Sequence, residues 1–90
     1  MYYKRHVKMK TVKIEELRSV LQMEKTRFEY KKRDGTMRKA YGTLQFTYIP
    51  EDKQPKDNSV LYENFRYFDL EKGEWRSIAK DITEVIVFDF

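Results

Sequence analysis

Thr26-Arg-Phe-Glu-Tyr-Lys-Lys-Arg-Asp-Gly-Thr-Met-Arg-Lys-Ala-Tyr-Gly-Thr-Leu44 is the stretch that decides the fold. Two alternating runs, Thr26 to Arg33 and Thr36 to Leu44, flank Asp34-Gly35, a dipeptide that accepts the positive φ a tight hairpin turn requires. With Asp34 and Gly35 as the two central turn residues, Phe28 faces Tyr41, Tyr30 faces Lys39 and Lys32 faces Met37. Phe28, Tyr30, Met37 and Tyr41 then share the inner face, and Arg27, Glu29, Lys31 and Arg38 the outer one. Leu44 and Phe46 fall on the opposite parity from Tyr41, which predicts a bend or bulge at Gly42.

Outward from the hairpin, Ile14, Leu17, Val20 and Leu21 fall on one side of an amphipathic helix, with Glu15, Glu16 and Arg18 on the other. Thr11 is its candidate N-cap, and the early acids suit the positive end of the helix dipole. Residues 50 to 59 contain two prolines and no apolar side chain, and read as a loop. Val60 to Leu70 is strand-like, and Leu70 to Glu74 is a second turn leading into a strand from Trp75 to Ile78. Asp81 to Glu84 is a short turn, and Val85 to Phe90 a last strand that returns to the sheet. The expectation is a mainly β fold, a small barrel of about five strands with one N-terminal helix.

Ninety residues make one small domain, which hides only about 60–65% of the surface its unfolded chain exposes. The 16% aromatic content offers rings large enough to fill such a core. The net charge of +4 is unevenly placed. Residues 1 to 14 hold Lys4, Arg5, Lys8, Lys10 and Lys13 with no acid, which leaves 14 basic against 15 acidic side chains in the remainder. The expected organisation is a basic arm over residues 1 to 10 ahead of one domain over 11 to 90. The longest apolar run, Val85 to Phe88, cannot cross a bilayer, and the N-terminal residues lack the apolar stretch of a signal peptide, so the expected setting is cytoplasmic.

Arg27 to Leu44, with its Lys-x-Asp-Gly-Thr-x-Arg pattern, is followed by Phe65-Arg-Tyr-Phe-Asp-Leu-Glu-Lys-Gly-Glu-Trp-Arg-Ser-Ile78 and by Ile82. Together these resemble the small SH3 β-barrel proteins grouped as WYL-like, compact proteins of Bacteroidetes and of their phages and mobile elements. The resemblance covers residues 14 to 86 and implies a barrel of the Sm or SH3 kind, without an assigned activity. Full WYL domains are implicated in sensing nucleotides or single-stranded nucleic acid. The Trp-Tyr-Leu triplet that names them is replaced here by Phe65-Arg66-Tyr67, so that ligand does not carry over.

The residue inventory argues against catalysis. His6 is the single histidine and lies in the basic arm, cysteine is absent, and the three glycines are too scattered for a phosphate loop. No catalytic residue, metal site or small-molecule cofactor is expected, and no membrane partner. The candidate chemistry is binding. Lys31, Lys32, Arg33, Arg38 and Lys39 on the hairpin, with Lys4, Arg5, Lys8 and Lys10 of the arm, form a set suited to phosphates; Arg66 and Arg76 are weaker candidates. The alternative is a protein-interaction or structural module. Val85 to Phe90 is apolar at both parities and, placed at an edge, would be a seam for a homo-oligomer; inside the sheet it would simply be covered. Trp75 is expected to anchor the barrel interior, and Tyr2, Tyr3, Tyr48 and Tyr62 to show their rings to solvent or a partner.

Overall fold

A computed structural model describes residues 8–56 and 65–89. Six antiparallel strands and one helix follow the order β1 (Lys8–Lys13), α1 (Ile14–Met23), β2 (Thr26–Lys31), β3 (Met37–Thr43), β4 (Arg66–Asp69), β5 (Glu74–Ser77) and β6 (Glu84–Asp89). They form one sheet in the spatial order β1-β6-β2-β3-β4-β5. Val12 from β1 and Tyr67 from β4 belong to the same buried cluster as Ile78, so the sheet curls until its distant strands share a core. Leu17 and Leu21 of α1 are fully buried in that cluster.

The β2–β3 hairpin lies where the Asp-Gly signal places it, but its register is shifted by one residue. Phe28 pairs with Ala40, Tyr30 with Arg38, and Arg27 with Tyr41. Lys32 N–H donates to Thr36 O at 2.8 Å and Gly35 N–H to Lys32 O at 3.0 Å, so the loop has three residues, Arg33-Asp34-Gly35. Only Gly35 takes a positive φ, 90°; Asp34 stays on the negative side and accepts the amide of Thr36 at 3.0 Å and its hydroxyl at 2.7 Å. A turn closed by one left-handed glycine is the standard three-residue alternative to the two-residue loop. The shift exchanges the faces of β3: Ala40 and Gly42 go inside, while Tyr41 and Met37, the latter 46% exposed, go outside.

This register also removes the need for a bulge. Pairing runs without interruption through Gly42, which faces Thr26 on one side and Asp69 on the other. Glycine is required there for space: a Cβ would stand 2.6 Å from Cδ2 of Tyr67 and 3.3 Å from Cε1 of Phe28. Those rings meet edge to face, 5.0 Å apart, and the hydroxyls of Tyr67 and Tyr30 share a buried hydrogen bond of 3.1 Å. Burial, reinforced by that bond, pushes the Tyr67 phenol far above its ordinary pKa.

At its N-terminus α1 continues directly from β1. Thr11 is a strand residue rather than the cap; Lys13 occupies the cap position without a side-chain bond, and Ile14 N–H donates to Thr83 O at 2.9 Å. Glu15 and Glu16 do fall in the first turn. At the other end, Leu44 N–H donates to Leu21 O at 2.7 Å, and Thr43 Oγ1 lies 3.1 Å from Glu24 O while accepting Gln45 N–H at 2.9 Å. The end of β3 thus takes up carbonyls that a helix terminus leaves unpaired.

The topology bears on two further readings of the sequence. Residues 8 to 10 are strand, not arm, which makes six strands in place of five. β6 is not an edge: it pairs with β1 along its whole length and with β2 through Arg27–Phe88, Phe28–Val87 and Glu29–Ile86. A homo-oligomer seam on the C-terminal strand would need backbone groups already used on both sides. Among the described residues, the open edges are β1 and β5. Phe46–Tyr48, ahead of the expected loop, and Glu51–Lys53, within it, are single 3-10 turns, tied by Gln54 Nε2 donating to the carbonyls of Phe46 and Ile49. Residues 57–64, and with them the start of the expected Val60–Leu70 strand, lie outside the described residues, as do 1–7 and Phe90.

Candidate nucleic-acid interface

The two sequence patterns that carry the family resemblance turn out to build turns. Asp34 is held below the ordinary carboxylate pKa by the hydroxyl and amide of Thr36, with Lys32 Nζ 3.9 Å away. In the β4–β5 turn, Asp69 Oδ1 accepts the amides of Glu71 and Lys72 at 2.9 and 3.0 Å, and Oδ2 accepts Arg76 Nε at 2.8 Å. Burial raises the pKa of Asp69, but the Lys72 amide, the Arg76 guanidinium and the Glu71 amide together outweigh it and hold the carboxyl low. Gly73, at φ 68°, closes the turn.

Arg76 is therefore not available for a ligand: it spans Asp69 and, at 3.1 Å, Glu74. Arg66 is exposed, with its guanidinium 5.8 Å from the centre of the Trp75 ring. Trp75 itself is half-buried, edge-on to Phe68 at 5.6 Å, and its Nε1 donates to Lys53 O at 2.8 Å. It packs against the buried core cluster, as expected of an interior anchor, and through that bond it also ties down the segment after β3. Tyr48 is exposed as expected; Tyr2, Tyr3 and Tyr62 lie outside the described residues.

The basic candidates divide between two faces. Arg38 stands opposite Tyr30, half-buried, where its charge acts on the Tyr67 hydroxyl, so it belongs to the inner side. Lys10 has the inner parity of Val12 and lines a depression beneath α1 with Glu16, Val20 and Glu24. β1 runs parallel to β2, which puts Lys8 at the end of the sheet remote from the hairpin turn, about 17 Å of strand from Lys13. Arm and hairpin tip therefore do not merge through Lys8 and Lys10; Lys4 and Arg5 lie outside the described residues.

On the outer face, by contrast, Lys31 and Lys39 are exposed, and neither forms an ion pair among the described residues. Lys13 lies on the same face at the turn end of β1, and Arg27 lies with its guanidinium 4.3 Å from the Tyr41 ring centre. Register sets Met9, Phe88, Arg27 and Tyr41 in one row across four strands. Beside that row is a depression of about 190 Å³ bordered by Arg27, Glu29, Lys39, Glu71 and Phe88. Glu29 and Glu84 are the two carboxylates on this stretch of the four strands, each directly opposite a lysine, Lys39 and Lys13. At the tip, Lys32 is half-buried beside Asp34, and exposed Arg33 is 3.7 Å from exposed Asp81. Lys13, Arg27, Tyr41 and Phe88 were not among the sequence candidates; the three-residue loop is the signal that brings Arg27 opposite Tyr41.

Among the described residues, no group of three or more His, Cys, Asp or Glu side chains could hold a metal ion. Nor is any helix long and apolar enough to cross a membrane. A short helix packed in a strongly curled antiparallel sheet with tight turns defines a small SH3-like barrel protein of the Sm kind. Residues 14–82 match the family described as WYL_2, Sm-like SH3 beta-barrel fold, and the chain belongs to that family. No curated protein and no solved structure matches the chain.

Proposed function

We propose that this chain is a non-enzymatic binding module that holds nucleic acid against the outer surface of the β2–β3 hairpin. The observation that carries this reading is the exposure of Lys31 and Lys39 on one face of the hairpin, with Lys13 and Arg27 on the same face of the sheet. Lysine side chains outside ion pairs are free to neutralise phosphates, and the resulting release of the cations condensed on the nucleic acid is the sequence-independent source of affinity. Tyr41 and Phe88 add half-buried rings to that face, though Arg27 already covers one side of Tyr41. Arg33 and Lys32 extend the positive surface around the turn. In this reading the module works in the cytoplasm of a Bacteroidetes cell, encoded by the cell or by a phage or mobile element it carries, a setting that the resemblance to WYL-like proteins supports.

Fluorescence anisotropy with a labelled single-stranded oligonucleotide tests the reading. Affinity should fall steeply between about 50 and about 200 mM salt, and each of Lys31→Gln and Lys39→Gln should lower the logarithmic salt slope by about one. Absence of binding, or binding indifferent to salt and to both substitutions, overturns it.

A further inference from the structure

The open edge of β1 offers a second, independent interaction surface. Ile14 N–H bonds to Thr83 O in the β1–β6 register, so the even-numbered residues of β1 direct their backbone groups at β6. The N–H and C=O groups of Met9, Thr11 and Lys13 consequently point to the free side, where no described strand pairs with them. β1 thus presents six residues of edge without a bulge, an ordinary full strand length. Met9 is 69% exposed, and Lys10, Thr11 and Lys13 are exposed as well.

The charge on this edge selects its occupant. Lys8, Lys10 and Lys13 are the only charged residues of β1, and residues 1 to 14 contain no acid. Two copies meeting edge to edge would bring three lysines each into one seam, an arrangement that discourages self-pairing. A strand bearing carboxylates meets the opposite situation: its backbone satisfies the open groups, while acids of alternating parity reach Lys13 on the outer face and Lys10 on the inner one. We infer that β1 is a docking edge for an extended acidic segment of a partner protein, added as a seventh strand. This goes beyond nucleic-acid binding on the hairpin and uses different backbone and side-chain groups, apart from Lys13.

The test uses the full chain and a short fluorescein-labelled peptide alternating glutamate with valine and threonine, beside a counterpart with lysine in place of glutamate. The acidic peptide should bind and the basic one should not, and the amide resonances of Met9, Thr11 and Lys13 should shift on binding. Thr11→Pro removes one outward N–H while leaving the β1–β6 ladder intact, and should weaken the acidic peptide about tenfold. Oligonucleotide binding by that variant should be unchanged, so failure on the hairpin and failure on the edge are read separately. Should Thr11→Pro fail to fold, Lys10→Glu combined with Lys13→Gln decides, with loss of the acidic peptide expected. No binding, equal binding of both peptides, or full affinity in both variants overturns the inference. So does displacement of the peptide by oligonucleotide without any shift of those three amides, which would assign the positive surface to phosphates alone.

Discussion

The two hairpin turns use the same parts to opposite ends. In both, an aspartate accepts nearby backbone amide protons and a glycine with positive φ completes the loop. The β2–β3 turn does this in solvent: Asp34 and Gly35 are exposed, and the partners of the aspartate, Thr36 and Lys32, lie within two residues of it. In the β4–β5 turn the aspartate is 5% exposed, and it also binds the guanidinium of Arg76 from the strand beyond. An Asp-Gly turn is thus a local device when exposed and a tertiary one when its carboxylate is buried, because only the buried charge needs a partner to replace water. The exposed turn leaves its surroundings open for a ligand; the buried one spends its cation on the fold.

Asp69→Ala should have the largest effect, a loss of about 3 kcal/mol in urea unfolding, because it strips Arg76 and two turn amides of their acceptor. The same carboxylate makes stability depend on pH. Its folded pKa lies below the ordinary 3.8, so its contribution is fully present above that value and is lost as pH falls through the lowered one. Asp69→Asn should flatten the acid limb of the stability profile more than Asp34→Asn does; equal flattening would erase the distinction between the two turns. Gly42→Ala, at the strand that joins the hairpins, should cost about 2 kcal/mol as the added methyl displaces the Tyr67 ring. A neutral result in thermal unfolding would mean that the ring gives way freely.

Smaller effects sharpen the comparison. Gly35→Ala and Gly73→Ala should each cost about 1 kcal/mol, since neither Cβ meets an obstacle and only the left-handed backbone is penalised. A much larger loss at Gly73 would show that the buried turn tolerates less adjustment around it. Asp34→Ala should change the unfolding midpoint least and leave oligonucleotide affinity unchanged or raised, as one negative charge leaves the basic tip.

The position of the first hairpin was legible because Asp-Gly between alternating runs is a local signal. Its register was not, since the dipeptide fits a two-residue loop and a three-residue one equally, and aromatics on both parities of the hairpin satisfy either. β1 escaped notice because alternate lysines in Lys8–Lys13 outweigh a single buried valine, Val12, and strand character there depends on pairing with β6 some 70 to 80 residues later. Exposure of Lys31 could be read from the hairpin alone; that of Lys39 could not, because a two-residue loop sets it opposite Tyr30, and only the shifted register puts it opposite Glu29 on the outer face. The fates of Arg38, Lys10 and Arg76 could not, because what faces them, Tyr67, α1 and Asp69, is supplied by other elements.

The placement of β6 carries a consequence for assembly. β1 and β2 run parallel on either side of it, joined by the helix, and so hold a vacant slot until a strand distant in the chain enters between them. The hairpins can close through short-range contacts, but the slot fills only after a long loop closure, which makes its filling the natural slow step of folding. Thermal motion that withdraws this strand would release β1 and uncover the hydrophobic underside of the helix while both hairpins remained paired.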